Sequence, residues 1–300
     1  MVRLCTYTPK GTQKCLIGLL TGENAIIDLG KTSARAFVNK DTDMISFVAD
    51  STDARMAELA DIACSPPGDA LVNEYKLLAP IPRPRRNVFC VGKNYIDHVQ
   101  EINTKSGNSA PAETPKFAQF FTKAPECVVA PGGVVPAHEG ITKWLDYEVE
   151  LGVVIGKAGK NITKENALDH VFGWTIGNDI SARDLQRRHT QFFKGKTLDG
   201  TCPLGPCIVP RQFLSADNLT LKLWVNGELR QNGNTNQMIF DVPAIVEQLS
   251  AGFTLLPGDV ILTGTPAGVG YAMEPPQTLK AGDVMRLEIE DIGVLENVIE

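Results

Sequence analysis

The sequence predicts a β-dominated α+β protein, on three observations. Short runs rich in Val, Ile, Leu and aromatic residues recur between turn residues along most of the chain. Helical spacing is confined to a few segments, so strands and helices do not alternate as repeated βαβ units require. Finally, 43% hydrophobic and 21% charged residues in a chain of 300 are globular proportions. A chain this long can bury roughly 75% of its unfolded surface.

Residues 1–80 read as a small N-terminal α/β module. VRLCTYTP, KCLIGLL and NAIIDLG are strand-like, and SARAFVNK and ARMAELADIACS follow with helical spacing. LAPIPRPRRN (78–87), with three prolines and three arginines, reads as an extended linker. From residue 81 a second unit runs to 300. Its strands are YEVELGVVIGK, GWTIGNDIS, GPCIVP, LTLKLWVNGEL, GDVILTGTP and DVMRLEIEDIG, with turns at Asn226-Gly227 and Pro257-Gly258. Helix is expected over 242–253 and in parts of 161–170. NTKSGNSAPAETP (103–115) reads as a disordered loop or a functional lid.

Composition excludes several classes. Lys+Arg at 29 against Asp+Glu at 35 give a net charge of -6, without the basic footprint that nucleic-acid binding needs. The best apolar run, Leu151–Ile155, is strand-sized, so no membrane role is expected. Pro9, Gly11 and Lys14 interrupt the N-terminal hydrophobicity, and no cleavage site of small residues follows. A cytoplasmic protein is expected, with a mitochondrial one left open. Seven scattered cysteines without a CxxC pair fit reduced, buried thiols better than disulfides or zinc.

Chemistry concentrates in four windows. In LDYEVELGVVIGK (145–157), strand alternation puts Glu148 and Glu150 on one face, at the mouth of a run that turns wholly apolar. Unpaired charges there cost several kcal/mol per ion, so the face is either in water or compensated. GWTIGNDISARD (173–184) adds Asp179. Three carboxylates form an all-oxygen set suited to Mg²⁺, with Mn²⁺ or Ca²⁺ possible, and poorly suited to zinc or copper. In NYIDHVQEI, His98 and Glu101 are three apart, one face of a helix, where the carboxylate can orient the imidazole as a general base; an incidental surface pair is the bland alternative. In FFKGKTLDGTCPLGP, Lys196 sits in a GKT string, but Thr190 occupies the place where a phosphate loop needs glycine. TGTPAGVG (263–270) lacks GxGxxG spacing and suits a loop that brings Thr265 close to a small ligand.

Together, CVGKNYIDHVQE, LDYEVELGVVIGK, GNDISARDLQ, GKTLDGTCPLGP, NTNQMIF and GDVILTGTPAGVG resemble, in order and spacing, the fumarylacetoacetate hydrolase superfamily. The likeness covers about residues 85–300 and points to the eukaryotic fumarylacetoacetate-hydrolase-domain-containing, oxaloacetate tautomerase-like branch. It implies a mixed β-roll catalytic domain, usually a homodimer. It implies Mg²⁺ held by Glu148, Glu150 and Asp179, and water activation by His98 and Glu101 on a segment that orders with substrate. Lys196 falls on the lysine that polarises a substrate oxygen, and Gln186 and Thr265 fall on substrate-binding positions. KAPECVVAPGG (123–133) departs from the family at Glu126 or Cys127, where Ser or Thr is expected, and this bears on the substrate.

The implied activity is metal-assisted stabilisation of the enolate of a 2-oxo acid or 1,3-dicarbonyl compound. Oxaloacetate keto–enol tautomerisation is the first expectation. Acylpyruvate- or fumarylacetoacetate-type C–C hydrolysis, including a diketone hydrolase of specialised metabolism, and oxaloacetate decarboxylation are the alternatives. A non-catalytic metal-binding scaffold is the reading from another class.

Overall fold

The computed structural model describes residues 1–22, 25–108 and 110–300. Asn24 of the third expected strand and Ser109 of the expected lid therefore lie outside the described residues. The fold class is the one the sequence predicts. A mixed sheet of 12 strands runs through the molecule, and a second sheet of five strands packs beside it. Most pairings are antiparallel, while Val260–Leu262 runs parallel to Val88–Gly92 and Gly293–Ile299 runs parallel to Val134–Val135.

The centre of the large sheet is the pair Val149–Ile155 and Val171–Asn178, every residue of which is buried. Apolar side chains fill both faces, so these strands read as near-continuous hydrophobic runs rather than alternating ones. Cys202–Pro210 flanks Val171–Asn178 on one side, and Val260–Leu262 flanks Val149–Ile155 on the other. The five-stranded sheet does alternate: in Thr220–Val225, Leu221, Leu223 and Val225 are buried and the residues between them are half-exposed.

The first three strands, Leu4–Pro9, Leu16–Leu20 and Ile26–Asp28, form an antiparallel meander that joins the large sheet where Leu4 pairs with Ile208. Their apolar faces share one core with Val88, Cys90, Leu204 and Leu262. Of the two helices expected there, Asp53–Cys64 forms as an α-helix capped by Thr52. SARAFVNK yields only a 3₁₀ turn, Ser33–Ala36, and a short helix, Met44–Ala49, capped by Asp43, follows instead.

Three other expectations are revised. The stretch 78–87 is irregular, but it is not a free linker: Ala79, Pro80, Ile81 and Pro84 are buried against the core. Its prolines remove amide donors, so an irregular backbone can pack there with fewer N–H groups to satisfy. Residues 161–170 hold a 3₁₀ helix, Lys164–His170. The first residues of the expected lid, 103–105, complete the helix Ile96–Lys105. No helix among the described residues is long and apolar enough to cross a membrane. Five cysteines are buried and Cys15 and Cys64 are exposed, all unbridged.

Candidate active site

The central strand pair builds the site. Val149 pairs with Asn178 and Glu150 with Gly177, so Glu148 and Asp179 face each other just past the last register position. The Asp179 N–H donates to the Glu148 carbonyl (2.9 Å), and the Asn178 side chain accepts from the Glu148 N–H (3.0 Å). Carboxylate oxygens of Glu148, Glu150 and Asp179 come within 4.8 Å of one another, all buried.

Cations brought from elsewhere in the chain offset most of this charge. Lys196, at the end of the short helix Phe193–Lys196, bridges Glu148 (2.6 Å) and Asp179 (2.7 Å). Lys123, wholly buried at the end of the strand Gln119–Lys123, donates to Asp179 (2.8 Å) and the Ile180 carbonyl (3.0 Å). Arg183 opens the helix Arg183–Arg188 and binds Glu148 (2.7 Å) and Asp146 (2.9 Å). Four buried carboxylates thus meet three buried cations.

The remainder falls on Glu150. It accepts the Gly264 N–H (2.6 Å) and has no cationic partner among the described residues. Burial, then the neighbouring Asp179 and Glu148, push its carboxyl well above the usual range. Burial acts on Glu148 in the same direction, but Lys196 and Arg183 outweigh it and hold that carboxyl well below its ordinary value. Lys196 shows the converse: burial alone disfavours its charge, yet Asp179 and Glu148 raise it above the ordinary lysine range.

Such a donor set fits a divalent ion. The oxygens are hard and buried, and burial together with its neighbours raises the least compensated carboxyl, so that its proton is the one a cation would replace. The Gly264 amide can reach Glu150 because glycine tolerates its φ of +96°; a side chain there would press on Asn94 Cβ at 2.8 Å.

His98 and Glu101 share one face of the helix Ile96–Lys105. His98 Nδ1 lies 2.7 Å from Glu101 Oε1, and the Gly268 N–H donates to Glu101 Oε2 (2.9 Å). With Nδ1–H directed at the carboxylate, Nε2 is the nitrogen left for chemistry. Gly268 adopts a φ of +108°. Its missing Cβ would collide with the Arg230 carbonyl, so only glycine brings this amide to Glu101.

A cavity of about 290 Å³ joins these groups. His98, Glu148, Glu150, Gln186, Lys196 and Thr265 line it, with Phe121 and Phe192 as apolar walls. Thr265 lines the cavity as expected, while its hydroxyl donates to the Val149 carbonyl (2.9 Å) and accepts from Gln231 (2.7 Å), so its proton and one lone pair are engaged within the protein. Gln186 accepts from Arg183 (3.2 Å). Glu126 is exposed and pairs with Arg83, whereas Cys127 is buried.

Sequence reasoning assigned no role to Lys123, Arg183 or Asp146. Arg183 stands in the quoted SARD string, and Lys123 closes the strand Gln119–Lys123 at a buried position. Neither signal says which carboxylate the cation meets.

A buried acidic trio at the end of a mixed β-roll, with a His–Glu pair across the cavity, defines a class of metal-assisted enzymes. Residues 87–300 match the family model described as fumarylacetoacetate (FAA) hydrolase, C-terminal, and the chain belongs to that family of enzymes. It is 44% identical to oxaloacetate tautomerase YisK of Bacillus subtilis over 297 residues, covering 95% of this chain and 96% of that one. It is 45% identical to the mitochondrial oxaloacetate tautomerase fahd2 of Xenopus laevis, covering 74% of this chain and 68% of that one. Among solved structures, a fumarylacetoacetate hydrolase from Exiguobacterium antarcticum superposes with a TM-score of 0.82 at 39% identity, covering 100% and 99% of the two chains. A maleylpyruvate hydrolase from a Sphingobium superposes with a TM-score of 0.75 at 28% identity, covering 99% and 98%.

Proposed function

We propose that this enzyme catalyses keto–enol tautomerisation of oxaloacetate with a divalent ion, Mg²⁺, held by Glu148, Glu150 and Asp179. The observation that carries the proposal is Glu150, a carboxyl raised by burial and by two carboxylate neighbours and left without a cation among the described residues, on the lining of a cavity sized for a small acid. Mn²⁺ and Ca²⁺ share the preference for oxygen ligands. The names of YisK and fahd2 support the choice of reaction.

When bound, the ion supplies Lewis acidity that favours negative charge on a substrate carbonyl oxygen. The chain's own residues do the rest. Lys196 spends two of its three N–H donors on Glu148 and Asp179 and keeps the third for the oxygen on which enolate charge develops. His98 takes a proton at Nε2 from the carbon next to the carbonyl and returns it to oxygen, while Glu101 holds the ring and balances the imidazolium. Phe121 and Phe192 keep water from the cavity wall, which strengthens each of these interactions. Gln186 and Thr265 complete the substrate contacts, Thr265 through lone-pair acceptance and its backbone.

The His98–Glu101 pair also favours a second reading, C–C bond hydrolysis of an acylpyruvate- or fumarylacetoacetate-type substrate, because an oriented imidazole can activate water. Decarboxylation of oxaloacetate would proceed from the same enolate. A homodimer, a cytoplasmic or mitochondrial setting and a division into units 1–80 and 81–300 belong to this proposal as well.

The test follows the decay of enol-oxaloacetate absorbance with and without Mg²⁺, beside acetylpyruvate cleavage. Mg²⁺-dependent acceleration of the first supports tautomerisation. Cleavage of acetylpyruvate alone transfers the chain to the hydrolase reading, and turnover of neither, with Mg²⁺ still raising the melting temperature, leaves a metal-binding scaffold.

A further inference from the structure

We infer that Arg187 and Lys93 form a second, cationic anchor at the mouth of the cavity, which holds the distal carboxylate of a dicarboxylic 2-oxo acid. The inference deepens the proposed function and rests on it for the placement of the substrate's other end. Both residues line the same cavity as Glu148, Glu150 and Lys196. They differ from the cations deeper in. Lys123, Arg183 and Lys196 are consumed by buried carboxylates, whereas Arg187 and Lys93 are exposed and make no ion pair among the described residues. A cation left unpaired beside a cavity is free to meet a ligand's charge.

Local structure aims both groups. Arg183 and Arg187 stand four apart on one helix face, so Arg187 sits about 6 Å further along the axis than the residue that grips Glu148. Its guanidinium lies 5.9 Å from the centre of the Tyr271 ring, and Nη1 reaches the Tyr271 hydroxyl at 3.4 Å. Tyr271 itself rests edge-on against Trp144, with the ring centres 5.2 Å apart. The arginine is therefore steadied by an aromatic shelf without being neutralised.

Lys93 is held by backbone strain. Its φ of 57° is a left-handed conformation that lysine seldom adopts. The next residue, Asn94, fixes it: the Asn94 amide donates to the carbonyls of Thr263 (2.7 Å) and Phe240 (3.0 Å) and accepts from the Phe240 N–H (2.7 Å). Strain persists only where the surroundings over-determine it, and here it presents a lysine to the cavity mouth. One substrate end would sit at the acidic trio and the other between these two cations.

The experiment compares oxaloacetate with 2-oxobutanoate, which has the same carbon chain with a methyl group in place of the distal carboxylate. Binding to the Mg²⁺-loaded, full-length protein is measured by calorimetry, and KM and kcat are measured for oxaloacetate. Arg187→Gln should weaken oxaloacetate binding and raise its KM on the order of fivefold, the scale of one partly exposed ionic contact. Its affinity for 2-oxobutanoate should not change. Lys93→Met should act likewise, and the double variant should bind the two acids nearly equally. Loss of affinity for both acids in parallel, or an unchanged preference in the double variant, overturns the anchor. Wild-type protein that binds oxaloacetate preferentially yet does not tautomerise it supports the anchor while refuting the proposed reaction.

Discussion

Replacing Glu150 by Gln tests the metal centre with a change of charge and almost none of shape. In the metal-free protein, Glu150 faces two carboxylates within 4.8 Å. Two unit charges at that separation repel by about 3.5 kcal/mol at an effective dielectric near 20. Burial first, and then this repulsion, disfavours the charge on Glu150 and raises its carboxyl above the usual range. The sign follows. An unfolded Glu ionises near pH 4.3, so a carboxyl raised in the folded state contributes stability below that pH and loses it as pH climbs through the folded value. Each pKa unit of that gap costs about 1.4 kcal/mol. Metal-free Glu150→Gln, whose amide oxygen can still accept the Gly264 N–H, should therefore be more stable than wild type at pH 8 and show a flatter pH profile.

With Mg²⁺ the order reverses. At a concentration 100 times Kd, an ion that binds only the folded state stabilises by about 2.7 kcal/mol, roughly 5–10 °C in Tm for a chain of this size. Wild type should show that increment, larger at pH 8 than at pH 6 because the ion displaces a proton. Glu150→Gln should lose most of it. Differential scanning calorimetry at both pH values, with and without Mg²⁺, reads each term. A variant that keeps the full Mg²⁺ increment, or is less stable than wild type without metal at pH 8, would refute the electrostatic account.

Three further outcomes are expected. Lys196→Met should lower kcat for oxaloacetate by on the order of 10²-fold, the scale of a lost oxyanion donor, and steady-state kinetics at saturating substrate check it. His98→Ala should lower the oxaloacetate tautomerisation rate by on the order of 10²-fold or more, since it removes the group that carries the proton from carbon to oxygen; a wild-type rate in the enol-oxaloacetate absorbance assay would contradict that role. Gly268→Ala should push the loop off the Arg230 carbonyl and withdraw the amide from Glu101, costing on the order of 1–3 kcal/mol of stability together with the His98-dependent rate. A Gly268→Ala protein with wild-type stability and activity would show that the loop position does not matter.

Much of this site was legible in sequence because its parts are local. Glu150 lies in the strand Val149–Ile155 with Glu148 two residues before it, His98 and Glu101 lie on one helix face, and Asp179 directly follows the strand Val171–Asn178. For the two pairs the spacing alone decides a shared face. The helix 242–253 was legible for a related reason: an acidic cap, a proline in the first turn and one apolar face agree locally, and the structure places it at Val242–Ser250. The N-terminal 3₁₀ turn, the packed stretch 78–87 and the engagement of the Thr265 hydroxyl by Val149 and Gln231 were not legible, because each depends on partners that local pattern does not name.

The sequence by itself therefore determined the fold class, the acidic trio, the imidazole pair and a resemblance strong enough to name the family. Only the tertiary structure decided how the charges balance. Lys123 reaches Asp179 across 56 residues, Lys196 reaches Glu148 across 48 and Arg183 reaches Asp146 across 37. Ion pairing depends on distance in space, and strand pairing sets that distance after the chain has closed. Glu150 is left as the carboxylate without a cation among the described residues, and that asymmetry is what makes the site suited to a dication.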